Sequence, residues 1–128
     1  MSTFVVTGAS SGIGRATAHA LAAAGHHVFA TVRKEQDAAS FRTDERITPL
    51  FLDVTSPDQI AAAVDTVGAR VGDAGLDGLI NNAGTGSALP MELMQVDELR
   101  RQLEVNTIGQ LAVTQAFLPG TAQGLVDT

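Results

Sequence analysis

The chain has 128 residues, 45% hydrophobic and 17% charged, with a net charge of −6 and no cysteine, tryptophan or tyrosine. That length and balance suit one domain with its own core and exclude a disordered chain or two ordinary domains. The eight Lys and Arg residues are scattered, which argues against a nucleic-acid surface, and the lack of cysteine removes disulfides, thiolate metal sites and a cysteine nucleophile.

No basic leader with an apolar stretch follows Met1, and no apolar run approaches the ~18 residues of a membrane span. A cytoplasmic protein without membrane contact is expected. Residues 3–7 are short, apolar and β-branched and read as a strand. Behind it, Ile13, Thr17, Ala20, Leu21 and Ala24 recur at helical spacing as an inward stripe, and Gly25 ends the helix. Residues 27–32 form a second strand, and 34–46 a loop with a short helix.

Residues 47–53 form a third strand. Its Pro49 lacks the ladder donor, so the strand belongs at a sheet edge. Ser56-Pro57-Asp58-Gln59 starts the next helix: Ser56 caps, Pro57 suits the first helical position and Gln59 reaches back to complete a capping box. Ile60, Val64, Val67 and Val71 form its apolar stripe. Residues 76–81 read as a fourth strand. Residues 96–117 read as one long helix with Leu99, Leu103, Leu111 and Ala112 inward, stopped by Pro119-Gly120. Residues 124–128 begin a fifth strand. Strands alternating with helices predict a doubly wound parallel α/β sheet, ordered 3-2-1-4.

In such sheets ligands bind beyond the carboxyl ends of the strands. The unusual glycines and polar residues collect there: residues 8–14 after strand one, Arg33 after strand two, Asp53-Val54 at the end of strand three and residues 81–84 at the end of strand four. Gly8 permits a sharp turn, Gly12 a close approach to a pyrophosphate and Gly14 tight packing of the helix, whose N-terminal N–H groups face the anion. The spacing Gly-x-x-x-Gly-x-Gly differs from the commoner Gly-x-Gly-x-x-Gly, and no Gly-Lys-Ser/Thr of a Walker loop follows.

Together Thr7–Gly14 (TGASSGIG), Asp53-Val54, Asn81-Asn82-Ala83-Gly84 and Asn106 within Val105-Asn106-Thr107 resemble the short-chain dehydrogenase/reductase family. The resemblance runs to Pro119 and covers about the first half of that family's Rossmann-type, three-layer domain. It implies that Gly8, Ser10, Ser11, Gly12, Ile13 and Gly14 line the cofactor phosphates and nearby ribose. Asp53 would accept from the adenine amino group beside the Val54 backbone, and Asn81, Ala83 and Gly84 would pack on the adenosine side and the nicotinamide ribose. Asn106 would be the catalytic-helix asparagine. The stretch Phe29-Ala30-Thr31-Val32-Arg33 resembles retinol- and hydroxysteroid-type members.

Arg33 bears on cofactor choice. An NAD-selective site carries a carboxylate at the end of strand two, where this chain has Val32; Arg33 follows, and a guanidinium can pair bidentately with a 2′-phosphate. NADP is favoured over NAD. Other polar residues carry less. His26 and His27 are adjacent on a strand and diverge, so they do not share a metal. His19 and Arg15 read as surface residues, and Asp97-Glu98 as a match to the helix dipole.

The family's chemistry is hydride transfer between nicotinamide and a carbonyl or alcohol carbon. Its acid–base group is the Tyr of Tyr-x-x-x-Lys, the Lys tunes it, and a Ser holds the substrate oxygen. This chain has no Tyr, and Lys34 is its only Lys. Of the four catalytic positions it carries Asn106 alone. Residues 1–128 are expected to be a cofactor-binding domain cut short before the Ser and the Tyr-x-x-x-Lys, with the sheet's second half incomplete. Two classes stay open: the nucleotide-binding part of an NADP-dependent oxidoreductase, inactive alone, or a non-catalytic nucleotide-binding or regulatory module. Family members associate through two helices, so a homo-oligomer through the 96–117 helix is expected.

Overall fold

A computed structural model describes residues 2–85 and 90–121. Four parallel strands form one sheet: β1 (Thr3–Val6), β2 (His27–Val32), β3 (Ile47–Phe51) and β4 (Gly78–Ile80), in the order β3-β2-β1-β4. This is the expected order, and β3 with Pro49 lies at the edge. The fourth strand is shorter than the expected 76–81, although Leu76 makes a separate parallel bridge to Thr121. The expected fifth strand lies outside the described residues.

The α-helices of the described residues are α1 (Gly12–Ala23), α2 (Glu35–Phe41), α3 (Pro57–Val71), α4 (Val96–Leu103) and α5 (Gln110–Phe117). Alternate residues of the strands feed two cores. Val6, Val28, Ala30 and Val32 pack with Ala18, Ala22, Ala38 and Phe41 under α1 and α2. Val5, Phe29 and Leu50 pack with Ile60, Ala63, Val67, Val113 and Phe117 under α3 and α5. The result is a three-layer α/β/α fold of Rossmann type. Phe41 is fully buried, and its truncation to Ala would cost about 3–5 kcal/mol.

Several expectations about local structure are corrected. The buried stripe of α1 is Gly14, Ala18 and Ala22, one position on from the expected one, and Ile13 is 78% exposed. Small side chains let this helix sit close to the sheet, so the tightest face is not the most hydrophobic one. Gly25 does end α1: its N–H bonds Ala22 O and that of His26 bonds Leu21 O, the paired bonds of a Schellman motif. At α3 Ser56 Oγ accepts from Gln59 N–H, but Gln59 Oε1 accepts from Asp53 N–H at 2.8 Å instead of closing a capping box. Ser56 N–H is already bonded to Asp53 O.

The expected single helix over 96–117 is interrupted by a π-helical segment, Glu104–Gly109. From its last residue onward the inward positions are Gly109, Val113 and Phe117, whereas Leu99, Leu103 and Leu111 are 47%, 48% and 58% exposed. An extra residue per turn rotates the following face. Ala112, partly buried, does pack on the core.

The histidines separate as expected. His26 Nδ1 accepts from Ser2 N–H and its ring meets Phe4 edge-on; His27 is buried, with Nε2 at 3.1 Å from Thr48 Oγ1. Arg15 is more engaged than a surface residue: it donates to Ser40 Oγ and stacks 4.7 Å over the Phe41 ring.

Candidate functional site

The site is built where β1 and β4 end side by side. Thr7, fully buried, follows β1, and its Oγ1 accepts from Asn82 N–H at 2.9 Å and Ala83 N–H at 3.0 Å. One hydroxyl thus fixes the start of the loop after β4. The glycine loop is held from two sides. Gly8 N–H donates to Thr31 Oγ1 and Ala9 N–H to Thr31 O, both on β2, while Asn82 Nδ2 donates to Gly8 O at 3.1 Å.

This closeness explains the glycines. Gly8 has φ +63°, and a Cβ on it would stand 2.7 Å from Ala83 Cα. A Cβ on Gly14 would stand 2.4 Å from Asn82 Nδ2 and from Gly8 O. Gly14 is therefore required by the loop and Asn82. Ser11 occupies the N-cap of α1 without a side-chain cap bond, and no acidic residue lies in the first turn. The N–H groups of the first turn are thus left for a partner outside the helix.

Beyond the strand ends lies a cavity of about 200 Å³. Of the expected site residues it is lined by Gly8, Ser10, Arg33, Asp53, Val54, Ala83 and Gly84. Ser11, Gly12 and Ile13 are exposed at the α1 N-terminus. Asn81 is turned away from the cavity: its Nδ2 donates to Thr114 Oγ1 on α5 at 2.9 Å.

Asp53 Oδ1 accepts from Thr55 N–H at 2.9 Å and from Thr55 Oγ1 at 2.6 Å. The Thr55 hydroxyl, then its amide, hold the Asp53 carboxyl below its usual range, with a smaller contribution from the Arg33 charge. Asp53 is therefore an ionised acceptor near neutral pH. Arg33 is exposed, and no carboxylate of the described residues lies within ion-pair distance of it.

Asn106 lies in the π-helical segment and bonds both backbone groups of Thr85: Oδ1 accepts from N–H at 2.7 Å and Nδ2 donates to O at 2.6 Å. Its amide is thus committed to the loop after β4. Sequence reasoning assigned no role to Thr7, Thr31, Thr85 or Arg101. Thr7 and Thr31 carried a usable signal, a hydroxyl at the end of an otherwise apolar strand that must find a buried partner. Arg101 had none.

Among the described residues there is no cluster of three or more metal-binding side chains, and no helix is long and apolar enough to cross a membrane.

The profile of the short chain dehydrogenase family matches residues 2–125. The NADPH-dependent 3-dehydrocapnine reductase of Ornithobacterium rhinotracheale is 40% identical over 116 residues, which cover 89% of this chain and 41% of that protein. Human 17-beta-hydroxysteroid dehydrogenase type 6 is 39% identical over 117 residues, 89% of this chain and 37% of that one. The NADPH-bound carbonyl reductase from chicken fatty liver superposes with a TM-score of 0.84 at 35% identity, covering 92% of this chain and 50% of that one. The chain thus spans about two fifths of the length of these curated relatives. With a parallel sheet in the order β3-β2-β1-β4, a glycine loop locked to the end of β4 and a family profile over nearly every residue, the chain belongs to the short-chain dehydrogenase family.

Proposed function

We propose that this chain is the cofactor-binding domain of an NADP-dependent short-chain dehydrogenase/reductase that moves hydride between nicotinamide and a carbonyl or alcohol carbon. The observation that carries this reading is one cavity at the strand ends that joins the glycine loop, an ionised Asp53 and an Arg33 free of carboxylate partners. An NADPH-dependent reductase among the relatives and an NADPH-bound structural neighbour support it.

In this reading Gly8, Ser10 and Ser11 hold the pyrophosphate with the α1 N-terminal groups of Gly12, Ile13 and Gly14. Asp53 accepts from the adenine amino group beside the Val54 backbone, and Arg33 pairs with the 2′-phosphate, so NADP binds in preference to NAD. Ala83 and Gly84 support the ribose side; Asn81 acts indirectly, by tying the end of β4 to α5. Asn106 keeps the Thr85 loop in place. The bound nicotinamide supplies or accepts the hydride.

The proton needs another source. Tyrosine is absent from these 128 residues and Lys34, in the turn between β2 and α2, is the sole lysine, so these residues do not supply the family's acid–base pair. These residues alone bind cofactor without turnover. The same absence favours the second reading, a non-catalytic nucleotide-binding module. The exposed Leu99, Leu103 and Leu111 support a homo-oligomer through the 96–117 region, and the working location is the cytoplasm.

Fluorescence titration with NADPH and NADH tests the assignment. Tighter NADPH binding is expected; equal affinities overturn the NADP preference, and no binding overturns the dinucleotide site. NADPH oxidation at 340 nm with a panel of ketones and aldehydes should show no turnover. Turnover regained when the C-terminal half of a relative is added favours the enzyme over the binding module.

A further inference from the structure

We propose that Arg101 forms the wall on which the adenine ring packs, setting affinity for the adenosine end of the cofactor without choosing between its phosphorylated and unphosphorylated forms. This deepens the dinucleotide reading above and rests on it.

Arg101 and Val105 stand one helical turn apart, and both line the cavity together with Asp53 and Val54. The Arg101 guanidinium is fixed along one edge. Nε donates to Glu98 Oε2 at 3.1 Å, Nη2 to Glu98 Oε1 at 2.7 Å, and Nη2 also to Thr85 Oγ1 at 3.2 Å. A planar cation held by an edge has its faces left for a ligand, and guanidinium faces pack on aromatic rings. Its charge is already matched by Glu98. Using it for a second phosphate would break a bidentate pair, whereas Arg33 has no such pair to break. The two arginines of one cavity therefore divide the work: Arg33 takes the phosphate and Arg101 the purine. Thr85 ties this wall to the loop after β4, because Asn106 clamps its backbone while Arg101 holds its side chain.

The test is equilibrium titration of the protein with 5′-AMP and with adenosine 2′,5′-bisphosphate, which probe the adenosine end without nicotinamide. Arg101→Ala and Arg101→Met should each weaken both ligands by about fivefold and leave their affinity ratio unchanged. Glu98→Gln, which breaks the ion pair but keeps the arginine, should stay within about twofold of the parent. Thermal melts identify a variant that fails to fold, and the Met variant, which keeps the stem, stands in for Ala. A loss confined to the bisphosphate overturns the proposal, since Arg101 would then be a phosphate ligand. Equal losses in Glu98→Gln and Arg101→Ala also overturn it, because Arg101 would then only brace its helix, as does no loss in either arginine variant. An unsubstituted protein that binds neither nucleotide overturns the dinucleotide reading itself, and that result needs no variant to be seen.

Discussion

Asn106 and Thr85 are joined twice, side-chain amide to backbone amide, across a gap of 21 residues in the chain. The pairing imitates one rung of a sheet and docks the loop after β4 on the π-helical segment. Asn106→Ala removes both bonds, each with a net contribution of about 0.5–1.5 kcal/mol. The expected loss is about 1–3 kcal/mol in urea unfolding. Asn106→Asp should also destabilise, because its carboxylate can no longer donate to Thr85 O. An Asp variant as stable as the parent would contradict the pairing.

Thr7 offers a cleaner test of the strand-end junction. Thr7→Val keeps the shape but leaves the Asn82 and Ala83 N–H groups without their acceptor. The expected cost is about 2–4 kcal/mol, with much of it recovered in Thr7→Ser. Chemical unfolding of the three proteins side by side decides this; a Val variant within about 0.5 kcal/mol of the parent would sink it.

For Arg33 the expected outcome is loss of discrimination. Arg33→Ala should remove about 1.5–3 kcal/mol of NADPH binding, roughly a tenfold to hundredfold weakening, with little effect on NADH. Stability should hardly change, since the side chain is exposed. Titrations with both cofactors measure the ratio, and a ratio unmoved by the substitution rules the assignment out.

His27 makes stability sensitive to acid. Burial, then the nearby Arg70 charge, pushes the folded-state pKa below the ordinary 6.5. The unfolded chain therefore takes up the proton first as pH falls. Its contribution is complete above about pH 6.5 and is lost progressively below it, down to the lowered folded value. Urea midpoints at pH 5 and pH 7.5 should show the lower stability at pH 5. His27→Gln should reduce that difference, even if it lowers both midpoints by disturbing the contact with Thr48.

How far the sequence anticipates this structure depends on what each residue type reports. Pro49 announced an edge strand because a missing N–H is a local fact with one consequence for pairing. That glycines and polar residues gather at the strand ends was legible for a similar reason: each interrupts an apolar run where a strand stops. The helix faces were less legible. In α1 the sheet-facing positions are Gly14, Ala18 and Ala22, chosen for smallness, so a search for the most apolar stripe finds its neighbour. In the 96–117 region the π-helical segment changes the phase of the helix, so a constant period of 3.6 carried through it assigns Leu111 to the wrong side; Leu99 and Leu103 precede the segment and are exposed on α4 itself. Arg101 was hidden by its partner: a Glu three residues away explains an arginine on a helix, and nothing local shows that the pair borders a cavity.

The bonds at Thr7 have a consequence for how the molecule comes together. Strand β1 meets β2 across only about two dozen residues, as in the pairing of Thr3 with His27. Thr7 meets Asn82 and Ala83 across 75 and 76. Closing so long a loop comes at a larger entropic cost and is repaid only when its contacts form. A partly folded chain with β1, β2 and β3 assembled would have a glycine loop and Arg33, but neither Asn82 nor Ala83 beside them. The cavity at the strand ends is thus absent until segments some 75 residues apart have met, and under the proposed dinucleotide reading nucleotide binding by a refolding sample would report a late step of assembly rather than an early one.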